Sequence, residues 1–141
     1  MRILDRFQFL GLLAMRIVLG TIMIAHGFPK VFGGGMHGTI QFISSLGLPW
    51  WSAYLSAYAE FFGGVLVLVG LFTRVAALAL LIDMIVAILL VHLPHGLTGE
   101  GGYQFPLSLA ALSFALLFLG PGPIALDRFV RFGGGRAKSA K

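Results

Sequence analysis

Four apolar stretches dominate the chain, over residues 7–28, 52–72, 75–93 and 104–120. A helix of about 20 residues crosses the ~30 Å hydrocarbon core of a bilayer. Each stretch ends at a proline, a glycine or a short polar turn, which are the residues that interrupt helices. The pattern predicts an all-α membrane protein whose four transmembrane helices, spans one to four, form a bundle.

The segments between these stretches predict how the spans connect. Residues 73–74 leave room only for a tight turn, so spans two and three should form an antiparallel hairpin. Residues 29–51 are too long for a turn and too short for another span. Within them, residues 39–46 predict a short helix at the membrane interface, followed by the anchoring aromatic residues Trp50 and Trp51.

Composition and charge fix the class and the orientation of the protein. With 58% hydrophobic and 11% charged residues, the chain differs from ordinary soluble domains. The positive-inside rule places both termini in the cytoplasm, because most basic residues share one side of the predicted bundle. Those residues are Arg2, Arg6, Arg74, Arg128, Arg131, Arg136, Lys138 and Lys141.

The same charge pattern limits the partners. The basic residues are dispersed and lack an interleaved aromatic platform, so we expect no nucleic-acid binding. Residues 1–132 predict one membrane domain, and residues 133–141 predict a flexible basic tail that touches anionic membrane lipid. Because the chain has no cysteine, it cannot form a thiolate metal site, and sulfur redox chemistry would need a substrate or a partner.

Three ionisable residues, Arg16, Glu60 and Asp83, lie in the middle of three different spans. A charge in hydrocarbon is costly and is usually paired inside the bundle or placed beside a wet cavity. Each of the three belongs to a stripe of small and polar residues at helical spacing, which predicts that it faces the interior. The stripe of span four contains Ser108, Ala111 and Ala115 but no ionisable residue.

Counting ~1.5 Å per residue along the helices places Arg16 level with Asp83 and Glu60 about 6 Å further out. This arrangement predicts one cluster in which the Arg16 guanidinium bridges both acids and binds a ligand. Glu60 and Asp83 would then transfer protons at a quinone-headgroup site. A purely structural interpretation stays open, because a buried ionic group can also fix the register of helices.

A second group of polar residues lies toward the opposite ends of the spans. His26, Lys30 and His92 are candidate ligand-binding residues, and we expect no metal site among them. His92 follows Asp83 by nine residues, about 180° around an ideal helix, so the two should face different ways. This spacing argues against a haem and favours an interfacial role for the histidines.

The ordered set of sequence motifs resembles the DoxX family of small bacterial membrane proteins over residues 8–129. The first motif is Arg16 with residues 25–30 (Ala-His-Gly-Phe-Pro-Lys). The others are residues 59–64 (Ala-Glu-Phe-Phe-Gly-Gly), residues 70–74 (Gly-Leu-Phe-Thr-Arg), His92 and residues 120–127 (Gly-Pro-Gly-Pro-Ile-Ala-Leu-Asp).

The resemblance implies a multi-pass protein of the bacterial inner membrane. Relatives in this family include a subunit of thiosulfate:quinone oxidoreductase, proteins linked to quinone detoxification and proteins that assemble with soluble oxidative-stress enzymes. It also adds Arg74 and Asp127 as structural residues, which could pair and hold the central hairpin to span four.

Three functions stay open at this point. The first is a redox-linked, quinone-interacting subunit, in which a soluble or membrane partner supplies the electrons; whether the chain alone is an enzyme is undecided. The second is a noncatalytic scaffold for oxidative-stress or other proteins, and a homodimer fits either function. The third is a small proton-coupled transporter, which would need oligomerisation because the chain shows no internal repeat.

Overall fold

The computed structural model describes residues 2–130, and those residues form helices, turns and loops without a β-strand. The predicted basic tail, residues 133–141, lies outside the described residues. The main helices are α1 (Gln8–Val31), α2 (Met36–Ser45), α3 (Trp51–Val69), α4 (Thr73–His95) and α5 (Gln104–Leu119). A single turn, Arg2–Asp5, precedes α1, and a 3-10 turn, Leu126–Arg128, follows α5.

Three of these helices are long and apolar enough to cross a membrane: α1, α3 and α4 have 24, 19 and 23 residues. Helix α5 is apolar but has 16 residues, a length of about 24 Å. Large apolar side chains cover the outside of the bundle, among them Phe114, Phe118 and Leu119, which are more than half exposed. This outward-facing apolar surface is typical of helices in lipid.

Helix α1 continues past Pro29, where the sequence predicted its end. The helix ends at Val31, and the carbonyl oxygen of Pro29 accepts hydrogen bonds of 3.0 Å from both Gly33 and Gly35. Pro29 lacks a backbone N–H and so removes one hydrogen bond from the helix. The helix nevertheless continues for two more residues, to Val31. Because of this extension, Lys30 is a helical residue.

The five helices form a bundle with two distinct ends. We call the end with the start of α1, the α3–α4 turn (70–72) and residues 120–130 the terminal end. The opposite end, with α2 and the loop 96–103, is the loop end. Helix α1 packs on α3, α3 on α4, α4 on α5, and α5 returns to α1, while α2 packs mainly on the first turns of α3.

Glycines allow α1 and α3 to approach each other closely. A methyl group on Gly27 would lie 2.5 Å from the backbone nitrogen of Phe61, and one on Gly20 would lie 2.8 Å from the carbonyl oxygen of Gly64. Small residues permit this backbone contact between apolar helices. The stripe predicted on span one, which contains Arg16, Gly20, Met23 and Gly27, is therefore confirmed as a buried face.

The stripe predicted on span four is wrong. Ser108 and Ala111 are exposed, whereas Leu109, Ser113 and Leu116 of the neighbouring face are buried. Span four is apolar on all sides, so small residues gave a weak indication of its inner face. Its Ser113 hydroxyl instead donates a 2.8 Å hydrogen bond to the Leu109 carbonyl within the helix, which lets a polar residue face the core.

Replacing Gly27 with alanine should destabilise the α1–α3 contact by about 2 kcal/mol, because the added methyl must push backbone away. Gly11 is the matched control, since it lies in the same helix and has nothing within 4 Å of the position its methyl would occupy. Thermal unfolding in detergent should therefore show a lower midpoint for Gly27→Ala and an unchanged or slightly higher one for Gly11→Ala. Equal midpoints would contradict close α1–α3 packing.

Two π-helical turns interrupt the long helices. One, Ala59–Gly63, lies in the middle of α3 and contains Glu60, and the other, Ile88–His92, lies near the end of α4. A π turn places one extra residue in the helical ladder and thereby changes which way the following side chains point. Both turns carry residues of the candidate site described below.

Candidate functional site

Arg16 binds backbone at the terminal end and contacts neither buried acid. Its side chain, in a residue that is 2% exposed, donates to the carbonyl oxygens of Val67 (2.9 Å) and Leu68 (2.9 Å) near the end of α3. It also donates to the carbonyl oxygens of Pro121 (3.0 Å) and Ile124 in the segment after α5. The predicted cluster in which Arg16 bridges Glu60 and Asp83 is therefore wrong.

The direction of helical side chains explains this error. Each Cα–Cβ bond in an α-helix leans toward the N-terminus of the helix, so a long side chain reaches back over the preceding turn. For Arg16 this direction leads toward the terminal end, away from the acids. The depth estimate placed both acids within the reach of an arginine side chain but left out the direction in which that side chain extends.

Lys30 takes the place that the sequence assigned to Arg16. Its ammonium donates to both carboxylate oxygens of Glu60, at 2.7 Å and 2.6 Å. The side chains of Lys30 and Glu60 are 29% and 8% exposed, so the pair is largely removed from solvent. The same backward lean of helical side chains points Lys30, close to the C-terminal end of α1, into the bundle.

Asp83 completes this ionic group from the third long helix. The Ser56 hydroxyl donates a 2.7 Å hydrogen bond to Oδ1 of Asp83, which joins α3 to α4. Glu60 and Lys30 are close enough to act electrostatically on the Asp83 carboxyl. Glu60 and Asp83 thus belong to one cluster, as predicted, with Lys30 as its cation and Ser56 as a fourth member. We call these four residues the ionic cluster.

A cavity of about 990 Å³ lies on the loop-end side of the ionic cluster. All four cluster residues line it, and most of its remaining wall is apolar, with contributions from α1, α2, α3, α4 and α5. Helix α2 and the residues that follow it contribute Thr39, Phe42, Ile43, Leu46 and Leu48 to this wall. Apolar cavities of roughly 300–1,000 Å³ with a few convergent polar groups are the usual sites for small ligands.

His26 and His92 line the same cavity. Nδ1 of His26 lies 2.8 Å from the Ile22 carbonyl oxygen, and Nδ1 of His92 lies 2.7 Å from that of Gly101. Since a carbonyl oxygen only accepts, Nδ1 carries a proton in both rings, and Nε2 is the ring atom left for a ligand. Neither ring bonds to the ionic cluster.

The angular argument about His92 is wrong. His92 lines the same cavity as Asp83, although nine residues would place it on the opposite face of an ideal helix. The π turn Ile88–His92 lies between them and shifts the register of α4 at that point. Nothing in the sequence indicated this turn. Within residues 2–130, no group of three or more His, Cys, Asp or Glu residues is arranged to hold a metal ion.

Arg74 and Asp127 lie at the terminal end but do not pair with each other. The Asp127 carboxylate accepts from the backbone nitrogens of Phe72 (2.6 Å) and Thr73 (3.1 Å), so it caps the start of α4. Its own backbone nitrogen donates a 2.8 Å hydrogen bond to the carbonyl oxygen of Gly70. Arg74 makes a longer contact of 3.4 Å with the Phe118 carbonyl oxygen. Each residue links the α3–α4 hairpin to the end of α5 separately.

The helices, the ionic cluster and the apolar cavity define a small helical membrane protein, and the chain belongs to the DoxX family, whose model matches residues 11–93. It is 40% identical over 121 residues to "Putative oxidoreductase CatD" of Bacillus subtilis, covering 86% of this chain and 87% of that protein.

Two further relatives have names that describe location rather than chemistry. The Inner membrane protein YphA of Escherichia coli is 31% identical over 125 residues, covering 83% of this chain and 88% of that protein. The uncharacterized membrane protein Rv3486 of Mycobacterium tuberculosis is 35% identical over 131 residues, covering 84% and 80% of the two chains. No solved structure matches the chain.

Proposed function

We propose that this protein binds the ring headgroup of a membrane-soluble quinone in the cavity and exchanges protons with it, as the membrane subunit of a redox system. The observation that carries the proposal is the ionic cluster at the base of a largely apolar cavity. An apolar wall suits the ring, and a few polar groups on one side suit one of its two oxygens. The name of the relative CatD, which describes an oxidoreductase, supports a redox role.

The cluster has the parts that such a site needs. An ammonium group has three N–H donors, and Lys30 uses two of them on Glu60, so one donor remains for a quinone oxygen. With one cation and two carboxyls, the cluster is neutral overall when it holds one acidic proton. That proton can pass from Glu60 or Asp83 to a reduced quinone oxygen, and water that reaches the cluster through the cavity then reprotonates the carboxyl and supplies the second proton.

The reaction also needs electrons. Reduction of a quinone to a quinol takes up two electrons and two protons, and we propose that a partner redox protein, soluble or membrane-bound, supplies the electrons. In this proposal the chain contributes the headgroup site and the proton-exchanging carboxyls, whereas the electron carrier belongs to the partner.

We further propose that the protein spans the bacterial inner membrane four times with its terminal end in the cytoplasm. Arg74 and Arg128 are exposed at this end, as the positive-inside rule requires of a cytoplasmic face. Two relatives are named as inner-membrane or membrane proteins. The cavity then lies in the outer half of the bilayer, with α2 at the outer interface.

Asp83→Asn should lower the affinity for a quinone by about tenfold or more, because a hydrogen bond that involves a charged group contributes roughly 1.5–3 kcal/mol. The amide is nearly isosteric and can still accept from Ser56, so the fold should persist. The measurement is the amount of quinone that co-purifies from membranes in mild detergent, by mass spectrometry, together with titration of the stripped protein.

Glu100→Gln is the matched control for this experiment. Glu100 is an exposed acid of the 96–103 loop and does not line the cavity, so its replacement should leave quinone binding unchanged. The proposal fails if the wild-type protein binds no quinone, or if Asp83→Asn and Glu100→Gln bind it equally well while both remain folded.

A further inference from the structure

The four helical sides of the cavity are not packed equally. Between α1 and α3, the backbone at Gly27 packs directly on Phe61. Between α1 and α5, the rings of His26 and Phe105 lie 5.9 Å apart and are tilted by 34° to each other. Helix α5 packs on the segment Thr73–Ala87 of α4. The fourth side lies between α3 and α4.

Helices α3 and α4 are in contact at the terminal end and separate toward the loop end. They are joined by the turn 70–72, and a methyl group on Gly63 would lie 3.2 Å from the Leu80 side chain. The Ser56–Asp83 hydrogen bond is a further link between them. Beyond this bond, the segments Trp51–Tyr58 of α3 and Ile88–His92 of α4 make few contacts with each other. A cleft therefore separates their loop-end halves.

Residues that line this cleft are also exposed on the outer surface of the bundle. Leu55, Ile82 and Val86 all line the cavity, yet they are 64%, 54% and 40% exposed. Side chains that do both mark openings in the cavity wall; His26 and Phe105, which are also exposed, mark a second and more polar one between α1 and α5. Leu55, Ile82 and Val86 are all apolar, and they belong to helices of membrane-spanning length. The opening between α3 and α4 therefore faces hydrocarbon.

We propose that this cleft is a lateral portal through which an amphiphile with a hydrocarbon tail reaches the cavity from the bilayer. The proposal rests on the function proposed above and specifies its substrate class: a ring headgroup beside the ionic cluster with a tail that leaves between Leu55, Ile82 and Val86. The cavity is continuous with the cleft, so the tail exits without displacing a packed helix. The tail gains little affinity by leaving a bilayer for an apolar cleft, so the headgroup sets the affinity and the portal selects ligands whose tail can pass.

Filling the portal should separate the two kinds of ligand. The probes are 2,3-dimethoxy-5-methyl-1,4-benzoquinone, which has no tail, and its 6-decyl derivative, each titrated into protein in nanodiscs with affinities corrected for partition into lipid. Ile82→Trp should weaken binding of the decyl compound by about tenfold or more and of the tail-less compound by less than about threefold. Ile85→Trp is the matched control, because Ile85 is 42% exposed on the same helix but does not line the cavity.

The outcomes distinguish the portal from the headgroup site. Unchanged decyl binding in Ile82→Trp, or equal losses for both compounds, would overturn the portal and leave the quinone site intact. If wild-type protein binds neither compound, the proposed function fails and the portal fails with it.

A second measurement does not depend on how well Ile82→Trp folds. Since the chain has no cysteine, Val86→Cys introduces a single thiol at the portal. The decyl compound should slow the reaction of this thiol with a lipid-soluble maleimide severalfold, whereas the tail-less compound should leave the rate unchanged. In Ile85→Cys, neither compound should change the rate. Equal reactivity of Val86→Cys with and without the decyl compound would contradict a tail in the portal.

Discussion

Replacing Arg16 with leucine is expected to destabilise the protein more than any other single change at the terminal end. The carbonyl oxygens of Leu68, Pro121 and Ile124 have no other hydrogen bond within the described residues. A buried polar group left unpaired costs roughly 1–3 kcal/mol, and these part-buried carbonyl groups should each fall at the lower end of that range. The total loss should therefore be roughly 3 kcal/mol or more, and thermal unfolding in detergent should show it as a large fall in the midpoint or as loss of folded protein.

Two variants test this interpretation of Arg16. Arg74→Leu removes an exposed arginine from the same end, whose contact with Phe118 is 3.4 Å long, and should have a small effect. Arg16→Lys retains the charge but has three donors for four acceptors, so it should be intermediate. If Arg16→Leu unfolds at the same temperature as Arg74→Leu, the guanidinium does not hold this end together.

Removing one partner of the Lys30–Glu60 pair should lower the stability of the protein more than any other change at the candidate site. Lys30→Met leaves the Glu60 carboxylate, 8% exposed, without its cation, which should cost about 2–3 kcal/mol for a pair that is partly open on the lysine side. The double variant Lys30→Met/Glu60→Leu removes both charges and should recover most of this loss, because a well-packed apolar pair often replaces an ion pair without penalty.

The double variant distinguishes a functional pair from a structural one. We expect it to be nearly as stable as wild type by thermal unfolding and to bind quinone at least about tenfold more weakly, because the free donor of Lys30 and the Glu60 carboxyl are gone. If the stable double variant binds quinone normally, the pair serves the packing of α1 and α3, and the scaffold function becomes the better account of the chain.

The helical fold could be predicted because the length of an apolar stretch and the spacing of its small residues can both be read directly from the sequence. The inner faces of spans one and two follow from Gly20, Gly27 and Gly64, whose backbone contacts are visible as a spacing of small residues. The hairpin turn at 70–74 likewise follows from the short break between two apolar stretches. Span four had no such contrast, since it is apolar throughout, and its inner face could not be identified.

The site was predicted only in part, for two physical reasons. Glu60 and Asp83 were recognised because their charges are costly in a span, but the choice of cation depended on where a long flexible side chain ends, which Cα depth does not give. Arg16 and Lys30 lie on the same helix and lean the same way, so one leaves the acids and the other reaches them. The π turns that place Glu60 and His92 depend on tertiary packing, and the sequence carried no signal for them.

The contacts of Arg16 have a consequence for biogenesis. Two of its acceptors, on Pro121 and Ile124, are 105 and 108 residues later in the chain. At a synthesis rate of about 5–20 residues per second, the first helix leaves the ribosome roughly 5–20 s before these acceptors exist. During this interval the guanidinium can bond to the earlier acceptors on Val67 and Leu68, while its remaining donor needs water or lipid headgroups. The contacts of the first helix are therefore complete only after the segment that follows the last helix has been made, and a chain that stops before residue 121 lacks two of the four acceptors.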